Sequence, residues 1–88
     1  GLFYNGARFY LDNDLDISLA LEWITVATEK RPEAFWMVYQ QARILDKAGS
    51  KKEAIQAAQK VISIASEKED DYGYIARAEK LIKELKSK

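Results

Sequence analysis

The stretch Leu19–Ala27, LALEWITVA, is echoed 34 positions later by Glu53–Val61, EAIQAAQKV. Each stretch has apolar residues at helical spacing and follows another segment with the same kind of spacing. A helical hairpin cannot bury its apolar face alone, so a recurrence at this period predicts hairpins that stack on one another. The sequence therefore predicts an all-α fold of two helical hairpins and a closing helix, with Ala20 and Ala54 where helices cross closely.

The first hairpin is predicted from two segments with helical periodicity. The first helix covers Leu2–Leu11, and the second runs from Asp16 to about Lys30, with Asp14 or Asp16 as its N-terminal cap. The first helices repeat at an offset of 35 residues, whereas the second helices repeat at 34. This difference predicts one extra residue in the turn of the first hairpin.

The second hairpin and the closing helix are predicted from their start and stop signals. Pro32 suits the first turn of the third helix, and Gly49 ends that helix. Ser50 and Glu53 have the spacing of a capping box, which predicts that the fourth helix starts directly after the serine. An acidic turn at residues 67–71 then offers a cap for a fifth helix from about Tyr72, whose lysines are expected to face water.

Composition narrows the possible functions. The chain is 48% apolar and 32% charged, and its fourteen basic and fourteen acidic residues cancel, so neither a nucleic acid nor a membrane is an expected partner. Cysteine and histidine are both absent. Their absence removes thiolate nucleophiles, imidazole bases and the usual zinc ligands, and no glycine-rich phosphate loop is present. We therefore expect no enzyme, no catalytic residue, no metal site and no cofactor.

The acidic cluster at residues 12–16 resembles the opening of a calcium-binding loop. The remaining loop positions do not fit, because Ile17 stands where the sharp turn needs glycine and Trp23 stands where a bidentate glutamate is needed. A solvated turn with a helix cap is the favoured interpretation.

The chain resembles the tetratricopeptide repeat family, whose unit is a 34-residue helix-turn-helix. Ala20 and Ala27 match the small positions of the second helix, Pro32 matches the closing proline, and Gly6-Ala7 with Tyr10 approximates the pattern of the first helix. The resemblance implies a right-handed α-α superhelix made of one tetratricopeptide-like domain over 1–88. Its implied parts are a first repeat at about 2–32, a second repeat at about 33–67 and a capping helix at about 71–86.

The second repeat departs further from the family pattern. It keeps Ala42, Gly49 and Ala54, but it has Val61 in place of the later alanine and Ser66 in place of the proline.

In this family the first helix of each hairpin lines a concave groove, so the resemblance implies a surface for a protein or peptide partner. Like residues recur there at an offset of 35 and form ladders that supply aromatic contact area, amides and two guanidinium groups for a carboxylate. The predicted partner-binding residues are Tyr4, Asn5, Arg8, Trp36, Tyr39, Gln40 and Arg43.

Two further interpretations stay open. We expect the chain to be a fragment of a larger protein, and in the first interpretation the same aromatic residues dock onto an upstream domain of that protein. In the second interpretation the larger protein is an enzyme, and its catalytic groups lie in the part outside these 88 residues. A second, weaker resemblance is to the helical tail of a bacterial family of unknown function whose upstream part is β-rich. It covers Trp36–Gly49 and Tyr72–Lys86.

The protein is expected to be a monomer or a weak dimer. The cellular compartment is left open, because only a signal peptide on the parent protein would imply a periplasmic or exported location.

Overall fold

A computed structural model describes residues 2–13 and 15–88, and these residues form five α-helices. The helices are α1 (Leu2–Asp12), α2 (Ile17–Lys30), α3 (Phe35–Lys47), α4 (Lys51–Ala65) and α5 (Tyr74–Lys86). Within these described ranges the remaining backbone forms turns, caps and bends, and no strand is present. The predicted all-α class is confirmed, whereas the right-handed superhelix is a finer expectation and stays a prediction.

The helices lie in two layers. Each helix contacts the next one along the chain, and α3 also contacts both α1 and α5. Across the described residues α2 and α4 make no such contact with each other. The molecule measures 32 × 31 × 18 Å, and its thin dimension fits two helices of about 10 Å diameter. The odd-numbered helices therefore form one layer with α3 at its centre, and α2 and α4 form the other.

Helix α3 is buried on two sides, because two apolar clusters meet there. Phe35, Val38 and Ala42 belong to the cluster that α3 shares with α4 and α5. Met37 and Ile44 belong to the cluster that it shares with α1 and α2. A single apolar stripe therefore cannot describe this helix.

Small residues lie at the helix crossings, as predicted. Ala20 on α2 and Ala54 on α4 are both 0% exposed. Ala7, Ala42 and Ala78 on the odd-numbered helices are also fully buried. A methyl group at these positions lets neighbouring helix backbones approach, so each alanine sets a close helix-helix contact.

The start of α2 agrees with the sequence analysis. Asp16 is its N-cap, and its Oδ1 atom accepts a hydrogen bond from the backbone N–H of Leu19 at 3.1 Å. The alternative cap, Asp14, lies outside the described residues. Four positions separate α1 from α2 and three separate α3 from α4, so the predicted extra residue of the first hairpin is confirmed.

Gly49 ends α3 as predicted, but the capping box that was expected to follow it is wrong. Gly49 has a φ of +83°, and the N–H groups of Gly49 and Ser50 donate to the carbonyls of Asp46 and Leu45 at 3.0 and 2.9 Å. This is a Schellman termination. It occupies the Ser50 amide that Glu53 would have accepted from. The Ser50 side chain makes no capping bond, although α4 does begin at the next residue.

Two predicted helix starts are also corrected. Pro32 does not lie in the first turn of α3, because it occupies a separate turn closed by the Ala34 N–H donating to the Arg31 carbonyl at 3.0 Å. Proline suits the second position of such a turn because its φ is already set. Helix α3 then begins at Phe35.

Helix α5 begins at Tyr74 instead of Tyr72. Tyr72 and Gly73 have φ angles of +50° and +80°, so the chain makes a left-handed turn before the helix starts. The predicted acidic cap is present: the Asp71 carboxylate accepts from the N–H groups of Gly73 at 3.4 Å and Ile75 at 3.1 Å.

Candidate functional site

A groove of about 410 Å³ opens on the layer formed by α1, α3 and α5. Its lining residues are Arg8, Tyr39, Gln40, Arg43, Tyr74, Arg77, Lys80 and Glu84. Four of the seven predicted binding residues are therefore brought together, on α1 and α3. The other half of the lining comes from α5, which the sequence analysis treated as a capping helix.

Gln40 orients Arg43 within the groove. Gln40 is 3% exposed, and its Oε1 atom accepts a hydrogen bond from Nη1 of Arg43 at 2.8 Å. This bond fixes one side of the guanidinium group, and Nη2 on its other side lies 3.7 Å from Oδ1 of Asp12. The predicted role of Gln40 as an amide that contacts a peptide backbone does not fit this burial, and the residue acts instead on the position of Arg43.

Asp12 lies between the two predicted arginines. Its Oδ2 atom is 4.0 Å from Nε of Arg8, one helical turn earlier on α1, and its Oδ1 atom is 3.7 Å from Nη2 of Arg43 on α3. The Asp12 side chain is 45% exposed. One carboxylate thus lies within 4.0 Å of guanidinium nitrogens from both α1 and α3.

Aromatic rings connect α3 to α5 on the other side of the groove. The rings of Tyr39 and Tyr74 meet edge to face with centroids 5.5 Å apart, and Phe35 contacts Tyr74 in the same way at 5.6 Å. The guanidinium carbon of Arg77 lies 4.9 Å from the centroid of the Tyr74 ring. Stacking on this ring restricts the Arg77 side chain, because a cation over an aromatic face is held by the ring quadrupole.

The groove has a local excess of positive charge. Arg77 and Lys80 make no ion pair with any carboxylate in the part of the chain that the structure describes. Glu84 is the one acid in the lining, and Asp12 stands beside the two other cations. Four cationic groups therefore face two acidic groups in a chain whose net charge is zero.

Tyr4 borders the groove from α1. Partial burial raises the pKa of its phenol, and the nearby Arg8 guanidinium acts in the opposite direction and lowers that pKa. The same side chain lines a mainly apolar cavity of about 230 Å³ with Phe3, Ala27 and Met37. Tyr4 therefore lies between the charged groove and the apolar end of α1.

The two remaining predicted residues lie elsewhere. Asn5 is exposed on α1 and is not among the groove residues, so it does not form a ladder with the buried Gln40. Trp36 lies in a separate cavity of about 350 Å³ near Arg31 and Tyr72, and the Arg31 guanidinium carbon is 5.6 Å from its ring centroid.

A repeat in the sequence indicates that α5 contributes to the groove. Tyr74 follows Tyr39 by the same 35 residues that separate Tyr39 from Tyr4, and Arg77 follows Arg43 by 34. A third member of each ladder was therefore visible. The small residues of α3 and α5 recur at a different offset, since Ala78 follows Ala42 by 36 residues, so an alignment on alanines does not bring Tyr74 and Arg77 into register with the ladders.

The described residues contain neither a candidate metal site nor a candidate membrane-spanning helix. No group of three or more His, Cys, Asp or Glu side chains in that part of the chain is placed to hold a metal ion. Among the helices it contains, none is long and apolar enough to cross a membrane.

Comparison with protein-family models, with curated proteins and with solved structures finds no match to this chain.

Proposed function

We propose that this chain is a non-catalytic, tetratricopeptide-like interaction module that binds an acidic peptide or protein segment in the groove between α1, α3 and α5. The observation that supports the proposal is the convergence of Arg8, Arg43, Arg77 and Lys80 on one groove with two tyrosine rings. These groups come from three helices that recur along the chain and lie in one layer.

Electrostatics favours an acidic ligand. Arg77 and Lys80 have no carboxylate partner among the described residues, so an incoming carboxylate does not have to displace an internal acid there. Arginine binds carboxylates through two parallel N–H donors, and such charge-assisted hydrogen bonds are among the stronger ones in proteins. Because the chain as a whole is neutral, the attraction is specific to this surface.

The tyrosines favour a peptide over a small inorganic anion. Tyr39 and Tyr74 pack edge to face across the α3–α5 boundary, which holds both rings in place before a ligand arrives. Rigid aromatic side chains provide contact area at a low entropy cost, and they are frequent at binding hot spots. A peptide with acidic and apolar side chains would use both the charges and the rings.

The proposal is tested with a fluorescein-labelled hexaglutamate peptide in fluorescence anisotropy at low salt. Replacing Arg77→Ala together with Lys80→Ala is expected to weaken binding about two- to thirtyfold, since two solvent-exposed ion pairs of about 0.2 to 1 kcal/mol each are lost. Lys83→Ala with Lys86→Ala is the matched control, because it removes two cations from exposed positions of the same helix outside the groove.

The control pair is expected to retain most of the affinity, and a hexaglutamine peptide is expected not to bind. Binding should also weaken with added salt, because charges this exposed are screened within about 8 Å at physiological ionic strength. Equal loss in both double variants, or no binding of hexaglutamate to the wild type, would reject the groove. That result would favour the alternative in which the aromatic residues dock onto another domain.

A further inference from the structure

The Asp12 carboxylate lies within ion-pair distance of two groove arginines. Asp12 is the last residue of α1, and its two oxygens face different arginines: Oδ2 lies 4.0 Å from Nε of Arg8, and Oδ1 lies 3.7 Å from Nη2 of Arg43. A peptide carboxylate entering the α1–α3 end of the groove would approach the same two guanidinium groups. Asp12 and that carboxylate would therefore compete for the same two guanidinium groups.

The ion pairs of Asp12 are weak enough to be exchanged. Both distances are well beyond the 2.7 to 2.9 Å or so of a strong charge-assisted hydrogen bond. All three side chains are also more than one-third exposed, so water and salt screen the attraction. Asp12 thus reduces the affinity of the two arginines for an external anion without blocking access to them.

The opposite end of the groove contains one acid, Glu84, which is not within ion-pair distance of a described cation. Arg77 is held over the Tyr74 ring at 4.9 Å, and neither Arg77 nor Lys80 is paired with a carboxylate in the described ranges. The groove therefore has one open cationic end on α5 and one internally occupied end between α1 and α3.

We propose that Asp12 is a specificity-determining residue of this groove. A ligand places its first anionic group against Arg77 and Lys80, and it engages Arg8 and Arg43 only when a second anionic group displaces the Asp12 carboxylate. The favoured ligand is then a segment with at least two separated carboxylates. This inference rests on the proposed function, because it concerns the selectivity of the same groove.

The test compares Asp12→Asn with Glu33→Gln by anisotropy of labelled hexaglutamate. Both substitutions remove one negative charge from long, exposed ion pairs: Asp12 has two such pairs, and Glu33 has one, at 3.9 Å from Arg31. Neither Glu33 nor Arg31 lines the groove. Asp12→Asn is expected to lower Kd about two- to fivefold, which corresponds to losing a competing surface interaction. Glu33→Gln is expected to change Kd less than twofold.

A second comparison localises the effect. In the wild type, Arg43→Ala should weaken hexaglutamate binding only slightly, because the contact that the peptide gains with this arginine is largely offset by the contact that Asp12 loses. In the Asp12→Asn protein the same substitution should abolish the gain in affinity. Asp12→Asn also removes a negative charge from the C-terminal turn of α1, where the helix dipole disfavours it, so this variant is expected to stay folded.

The outcomes separate the two ideas. If hexaglutamate binds in an Arg77- and Lys80-dependent manner but Asp12→Asn does not bind it more tightly than Glu33→Gln does, the role of Asp12 is rejected and the groove remains. If the peptide binds neither the wild type nor Asp12→Asn, both the groove and the role of Asp12 are rejected.

Discussion

Gly6 has no side chain at a position where α1 packs directly against the Trp23 ring of α2. A Cβ atom at this position would lie 2.7 Å from Cε3 and 2.8 Å from Cζ3 of Trp23. The indole cannot easily retreat, because the Tyr10 ring contacts it edge to face at 4.9 Å. The absence of a side chain at Gly6 therefore allows Trp23 to cover α1 directly.

Gly6→Ala is expected to destabilise the protein by about 1 kcal/mol. Overpacking costs about 1 to 3 kcal/mol, and the better helix propensity of alanine offsets close to 1 kcal/mol of it. Urea unfolding followed by circular dichroism measures the change. In a Trp23→Leu background the penalty should disappear, since the ring that causes the clash is gone. A stabilised Gly6→Ala protein with Trp23 intact would contradict this account.

At the scale of the element, α5 depends on an unusual entry turn. The Tyr74 N–H donates to the Asp71 carbonyl at 2.9 Å, and the two residues between them, Tyr72 and Gly73, both have positive φ angles. This geometry is that of a type I′ turn, which favours asparagine followed by glycine. Tyr72 is 72% exposed, so burial of its side chain contributes little to offset the unfavourable backbone conformation.

Tyr72→Asn is expected to stabilise the protein by about 0.5 to 1 kcal/mol, because asparagine tolerates the left-handed conformation better than tyrosine. Tyr72→Val is the matched comparison and should destabilise it, since a β-branched residue is least suited to positive φ. Thermal unfolding followed by circular dichroism separates the two variants. An unchanged or reversed order of stability would show that the turn does not limit α5.

At the scale of the whole molecule, α3 joins two cores whose outer helices do not contact each other. Ala20 belongs to the core of α1, α2 and α3, and Ala54 belongs to that of α3, α4 and α5. Within the described residues no contact links α2 to α4. The effects of substitutions in the two cores should therefore be largely independent.

Ala20→Leu and Ala54→Leu are each expected to destabilise the fold by about 1 to 3 kcal/mol through overpacking at a helix crossing. The double variant should show the sum to within about 0.5 kcal/mol, as is usual for distant sites. Ala76→Leu, at an exposed position of α5, is the control and should have little effect. Chemical denaturation gives all four values, and a double variant far from additive would show that α3 couples the two cores.

Helix order and most helix ends could be predicted because they depend on interactions within a few residues. The Asp16 cap, the Gly49 termination and the acidic cap before α5 each need only a side chain or a backbone angle beside the helix end. The errors at Pro32 and Ser50 have the same local origin. Pro32 belongs to a turn before α3, and the Ser50 amide is bonded to the end of α3, so neither is available to the helix that follows. The sequence pattern does not distinguish these two arrangements.

The chain alone therefore defined the five helices, the small residues at their crossings and the two-arginine ladder. Only the packing of the helices decided which faces meet across the layers. Packing added Tyr74 and Arg77 to the groove, moved Trp36 out of it and placed Asp12 between two arginines. The physical reason is that apolar periodicity sets the direction of a side chain around its own helix. The rotation and separation of neighbouring helices depend on contacts between residues far apart in the chain.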